Sequence, residues 1–301
     1  MTVQKKQRGR FRSFLHQCAK HHNLLLMMLP AFLTFIIFRY GAMLGISMAF
    51  VDYKPKIGAS FLSNILNSKW VGVKHFETFL TSLNGIQVLK NTIIISLLKI
   101  AVCFPAPILL AILLNEVIST RYKRVVQTVT YLPHFISWVV LAGILRMVLS
   151  PDYGITVVIA KLFGTQPINF IGDKQYFRGL LVVTELWREI GWSSIIFLAA
   201  LNGIDPGLYE AAVIDGANRF QRIVYITIPC LVPTIIIMLI LRTGTIMDAG
   251  FDQVYNMYNN SVRSVAEILD TYIYQKGKYS LQGTTQGSYL TGGVPPVRFS
   301  M

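Results

Sequence analysis

In this chain of 301 residues 53% are hydrophobic and only 14% are charged, against roughly 25% charged in soluble domains, so a membrane protein is the first expectation. The net charge of +14 would suit a nucleic-acid binder, but the Lys and Arg residues flank apolar runs and no aromatic-and-basic surface motif accompanies them. The charge therefore reads as a topological signal, and nucleic acid is not an expected partner.

The first 22 residues form a basic tail with Lys5, Lys6, Arg8, Arg10, Arg12 and Lys20 and no acid. An apolar run follows from Leu24 to Phe50, interrupted by Arg39 and Tyr40. It is longer than a signal-peptide core and lacks a small-residue cleavage site, so it reads as an uncleaved first helix. Further runs of spanning length lie at about Val88 to Leu114, Val125 to Leu149, Gly179 to Leu201 and Ile228 to Met247. The expected class is an all-α polytopic membrane protein with five spans. Its transmembrane domain covers 23–249, and an extracytoplasmic polar segment covers 250–301.

The basic tail places the N-terminus in the cytoplasm, and alternation assigns every other loop. Inside loops then hold 11 Lys and Arg in roughly 60 residues, and outside loops hold 11 in about twice that length. Outside, ITVVIAKLF is too short to span and suits a small surface helix. Tyr255, Tyr258, Tyr272 and Tyr274 suit a membrane interface, with ligand stacking as the other reading. Cys18, Cys103 and Cys230 and the five histidines show no disulfide framework or metal-ligand spacing, so no metal or cofactor is expected.

Ionisable side chains at membrane depth face a bundle interior or a watery cavity. Lys99 lies near the middle of the second expected span. Glu185, Arg188 and Glu189 share neighbouring parts of one face of the fourth. Glu185 with Arg188 reads either as an internal pair or as part of a substrate path. Trp187, Trp192 and Asn91 add flat apolar faces and an amide suited to sugar rings and hydroxyls. No Walker A loop, nucleophile with its base, or glycosidase-like carboxylate pair occurs, so the chain is not expected to be an enzyme.

The cytoplasmic loop 202–227 is unusually structured. Asp205 before Pro206 signals a helix start, with a helix expected to about Ile214. Asp215 and Gly216 break it, and Asn218 caps a second helix leading into the next span. Small Ala211 and Ala212 beside Glu210 suit docking in another protein's groove.

Glu210-Ala211-Ala212, Gly216, Ile226, Ile228 and Pro229 resemble the EAA loop of binding-protein-dependent ABC importer permeases. NTIIISLLKI, TVTYLPHFISWVV, LWREIGWSSIIFLAALNGIDPGLYEAAVIDGA and FDQVYNMYN resemble the oligosaccharide permeases of the maltose-transporter superfamily. The likeness is to the branch of lipoprotein-type and complex-polysaccharide permeases, and it runs from about Leu29 to about Gly277.

The resemblance implies a type I ABC importer permease fold in a bacterial plasma membrane. Its implied partners are cytoplasmic ATPase subunits, a second permease, an extracytoplasmic solute-binding protein and an oligosaccharide. Within the loop, Glu210 would meet a basic residue of the ATPase, the two alanines would pack into its cleft, and Asp215 with Gly216 would make the turn. A secondary transporter or channel is the competing class; it predicts ion coupling and often paired broken helices in repeated halves, and no internal repeat is visible.

Members of that family continue with a sixth span. From Gly277 onward this sequence is rich in Gly, Ser and Thr, with no apolar run near 18 residues. The expectation is a chain truncated or read out of frame near Tyr279 that ends outside, with a genuine five-span variant as the alternative.

Overall fold

The computed structural model describes residues 20–53 and 60–278. The tail up to residue 19 and the segment from Tyr279, on which the sixth-span expectation rests, lie outside the described residues. The chain divides into two compact units, Met1–Leu83 and Asn84–Met301.

In the first unit, α1 (His22–Phe50) begins as an α-helix, passes through a π-helical turn at Ile36–Tyr40 around Arg39, and ends in a 3-10 segment, Leu44–Phe50. None of its residues is buried within the chain before Val51. Strands β1 (Val51–Asp52) and β2 (Lys69–Trp70) pair antiparallel, Val51 opposite Trp70. Helices α2 (Phe61–Leu66) and α3 (Lys74–Thr81) complete the unit. Phe50 stacks on Trp70 with ring centroids 5.7 Å apart.

The second unit is built on long helices. α4 (Leu83–Cys103) and α5 (Pro105–Glu116) form one span of 34 residues, restarted by Pro105, which needs no backbone donor in a first turn. After Ser119, whose hydroxyl caps the next helix, come α6 (Thr120–Tyr131) and a 3-10 turn at Leu132–Phe135. α7 (Trp138–Val148) then leaves at 100° to the preceding limb. The single span expected from Val125 to Leu149 is therefore broken. Pro133 cannot donate to the helical ladder, Ile136 and Ser137 take extended backbone, and the Ser137 hydroxyl caps the second limb through Val140 N.

The short helix expected at ITVVIAKLF is present as α8 (Ile155–Phe163), closed by Gly164 in the left-handed region at φ 64°. α9 (Lys174–Asn202) runs for 29 residues without a break, about 43 Å, and contains the fourth expected span. Then come α10 (Pro206–Ile214), α11 (Arg219–Arg222), a π turn at Ile223–Thr227, and α12 (Ile228–Gly244). Past it lie α13 (Phe251–Met257), a 3-10 turn at Asn260–Val262, α14 (Arg263–Ala266) and a final helical stretch at 269–278.

Among the described residues, three helices are long and apolar enough to cross a membrane: His22–Phe50, Leu83–Glu116 and Arg219–Gly244. The bent pair adds a fourth if taken as one span. α9 is long enough but carries Lys174, Arg178, Glu185, Arg188 and Glu189.

α9 organises both hydrophobic cores of this unit. At one end Phe177 and Leu181 pack with Ile95 of α4, Ala142 of α7 and the buried face of 249–268. At the other, Phe197, Leu198 and Leu201 pack with Ala111 and Leu114 of α5 and Leu231 of α12. Gly191 lies between them at the crossing with α6, where an added Cβ would run into the Thr130 carbonyl. Small residues of this kind let helix backbones approach closely in membranes.

Candidate functional site

Loop 202–227 folds as its residues dictate. Asp205 Oδ1 accepts from Gly207 N at 2.9 Å, and Pro206 opens α10. Gly216 then takes φ 78°, a left-handed conformation open to glycine at little cost, and a Cβ added there would meet no atom within 4 Å. Asn218 and Gln221 close a reciprocal capping box at 2.8 Å each way. α10 has no buried residue; Leu208, Val213 and Ile214 are exposed along with Glu210 and Ala211, and Ala212 is half-buried. Asp215 caps the helix end and is exposed. The helix is tied to the next span by Tyr209 Oη, 3.0 Å from the buried Thr227 Oγ1.

The other polar cluster lies inside the helical unit. Lys99 is buried, its Nζ donating to the Ala249 carbonyl at 2.8 Å and to Gln253 Oε1 at 2.5 Å, with Glu185 Oε2 at 3.4 Å. Gln253 in turn donates to the Leu181 carbonyl and to Thr184 Oγ1. Glu185 Oε1 also faces Arg242 Nη2 at 3.7 Å. Glu185 thus pairs with Lys99 and Arg242, not with Arg188 as the helical spacing had offered. Arg188 sits one turn further along and is drawn to Glu189 and to the backbone of the broken span.

Two adjoining cavities share Glu185 and Arg242. The larger, about 470 Å³, is also walled by Phe104, Glu189, Trp192 and Ser193. The smaller, about 250 Å³, is walled by Trp138, Arg188, Asp248, Asp252 and Gln253. Aromatic faces beside carboxylates and guanidinium groups form a surface on which a polyhydroxylated ring can stack and hydrogen-bond.

Of the residues singled out from sequence, Glu185, Arg188 and Glu189 line these cavities, with Trp192. Lys99 and Asn91 do not. Asn91 is fully buried, donating to the Ser264 and Glu267 carbonyls and accepting from Arg178 Nη2 at 2.8 Å, a tie between α4, α9 and the segment after α13. Trp187 is half exposed and outside both walls. Sequence reasoning missed Trp138, Arg242, Asp248 and Gln253. Arg242, charged near the end of an apolar run, was the visible signal among them.

Residues 103–260 match the family described as binding-protein-dependent transport system inner membrane component. The chain belongs to this family. The matched region holds the whole of α9, loop 202–227 and every wall residue of the two cavities. The polygalacturonan/rhamnogalacturonan transport system permease protein YteP of Bacillus subtilis is 44% identical over 254 residues, covering 84% of this chain and 77% of that protein. Protein LplB of the same organism is 43% identical over 267 residues, 88% and 80% of the two chains.

Among solved structures, the fold is similar to a chain of a bacterial ABC transporter involved in import of the acidic polysaccharide alginate. The TM-score is 0.79 at 38% identity, covering 90% of this chain and 88% of that one. A second structure, of the alginate transporter with an alginate pentasaccharide-bound periplasmic protein, matches with the same TM-score over 89% and 86%. The fold is accordingly that of a type I ABC importer permease, and the chain is a membrane transport subunit.

Proposed function

We propose that this permease carries an oligosaccharide across a bacterial inner membrane, driven by ATP hydrolysis in partner subunits. In this reading α10 seats on a cytoplasmic ATPase subunit, Glu210 faces a basic residue there, and Ala211 and Ala212 allow close approach. Asp215 and Gly216 set the turn that returns the chain to the membrane. A solute-binding protein delivers the sugar from outside, a second permease completes the pathway, and the N-terminus lies in the cytoplasm.

The single observation that carries the reading is α10 itself: a capped two-turn helix between long helices, exposing Leu208, Val213 and Ile214 around Glu210. Exposed apolar residues beside one charge are what a docking helix needs. The named transport systems of the relatives support a saccharide, as do the aromatic and charged walls of the two cavities. In the path the reading places Glu185, Arg188, Glu189 and Trp192, and it leaves Lys99 and Asn91 as supports behind the wall.

The test is uptake of labelled oligosaccharide into vesicles holding the permease with its ATPase and partner permease. Uptake should require internal ATP and loaded binding protein, and Glu210→Lys should insert normally yet lose stimulated ATPase activity. Uptake that proceeds without ATP, driven by an ion gradient, would overturn it.

A further inference from the structure

The break between Phe135 and Trp138 leaves backbone carbonyls of an apolar segment outside the helical ladder, and at membrane depth such a group is costly unless a donor reaches it. One side chain supplies two of those donors. Arg188 of α9 donates from Nε to the Ile136 carbonyl at 3.1 Å and from Nη2 to the His134 carbonyl at 3.0 Å. Its guanidinium also lies over the Trp138 ring, 4.9 Å from the centroid, and its third nitrogen pairs with Glu189. Glu189 reaches His134 Nδ1 at 2.9 Å, and the His134 ring lies flat against Trp192 at 4.4 Å. The fork geometry of a guanidinium is what lets one residue hold two carbonyls and an acid at once.

Position along α9 gives this pin its consequence. Arg188 is 14 residues, about 21 Å, from Asn202 on one unbroken helix. Beyond Asn202 only Gly203, Ile204 and Asp205 separate α9 from α10, and that turn is closed by Gly203 N to the Ala200 carbonyl and Ile204 N to the Leu201 carbonyl. A displacement of α10 is thus passed through a stiff rod to the broken span. Trp138 and Trp192, which wall the two cavities, are the residues set by the pin.

We infer that Arg188 is a positioning residue that couples movement of α9 to the aromatic walls of the transport path by holding the His134 and Ile136 carbonyls of the broken span. This rests on the proposed ATP-driven import.

The experiment uses the complete transporter in vesicles and reads the ratio of sugar imported to ATP hydrolysed. That ratio is independent of how much protein is folded. Arg188→Lys keeps the charge but not the fork, and should lower uptake per ATP on the order of tenfold. An unchanged ratio in Arg188→Lys would overturn the inference. Should that variant fail to assemble, Glu189→Gln takes its place: it keeps both carbonyl bonds but removes the ion pair and weakens the tie to His134. A smaller fall in the ratio supports the inference, and an unchanged ratio overturns it. If the parent protein itself imports without ATP, it is the functional reading that fails, and the two results cannot be confused.

Discussion

The Lys99 ammonium meets the Gln253 side-chain oxygen at 2.5 Å across 154 residues of sequence, while Lys99 itself lines neither cavity. Lys99 is thereby a clamp on the backbone after α12, where Gly250 at φ 89° leaves room for its Nζ that a side chain would fill. Lys99→Met would strand Gln253 Oε1, the Ala249 carbonyl and one oxygen of Glu185. Breaking one partner of a buried pair costs about 3–5 kcal/mol, so the purified complex should melt well below the parent. The double variant Lys99→Met/Glu185→Gln removes the stranded carboxylate and should recover part of that loss. A double variant no more stable than the single would show that Glu185 does not belong to the clamp.

Tyr209 and Thr227 provide a second link, this one between the loop helix and the π turn that opens the following span. Tyr209→Phe keeps the ring and removes only the hydroxyl, which at a net value of about 0.5–1.5 kcal/mol should lower stimulated ATPase by about twofold to tenfold without affecting insertion. Thr227→Val removes the same bond together with a longer one to the Arg222 carbonyl, at 3.4 Å, so it should cost at least as much, and adding Tyr209→Phe to it should add little. Additive losses in ATPase assays would mean the two groups act separately.

How much of this was legible in the sequence follows from how far each interaction reaches along the chain. Loop 202–227 could be read residue by residue, because Asp205, Pro206, Gly216 and Asn218 act on backbone within a few positions of themselves. The break in the third span had a local mark in Pro133, but its apolar composition continues through Ile136, and the carbonyls freed there are satisfied by Arg188, more than fifty residues away. The same holds for Lys99 and Asn91. Both were recognisable as buried polar groups, but their partners at 249, 253, 264 and 267 come from an element whose return to α4 no local pattern announces.

Gly191 tests the packing between α9 and α6. Gly191→Val would drive its side chain into the Thr130 backbone, which cannot rotate away as a flexible side chain would. Overpacking at such a crossing costs about 1–3 kcal/mol, and thermal aggregation of the detergent-solubilised complex should begin at lower temperature. Gly179→Ala, on the same helix with nothing within 4 Å of the added carbon, is the control and should behave as the parent.

Gly216 separates backbone strain from crowding in loop 202–227. At φ 78° an ordinary residue pays about 1–2 kcal/mol for the left-handed conformation, yet no neighbour lies within 4 Å to obstruct a side chain. Substitutions should therefore rank by backbone tolerance and not by size. Gly216→Asn should be the mildest, since asparagine enters this region several times more readily than other side chains. Gly216→Ala should be intermediate and Gly216→Val the worst, because a branched Cβ adds to the strain. Stimulated ATPase of the assembled transporter is the measurement, with insertion checked by protein yield. The turn sets the angle between α10 and α11, so a loss of ATPase ordered Asn, Ala, Val would tie coupling to the backbone at this position. A ranking by side-chain volume, with Asn falling below Ala, would instead mean that the partner subunit packs directly against residue 216.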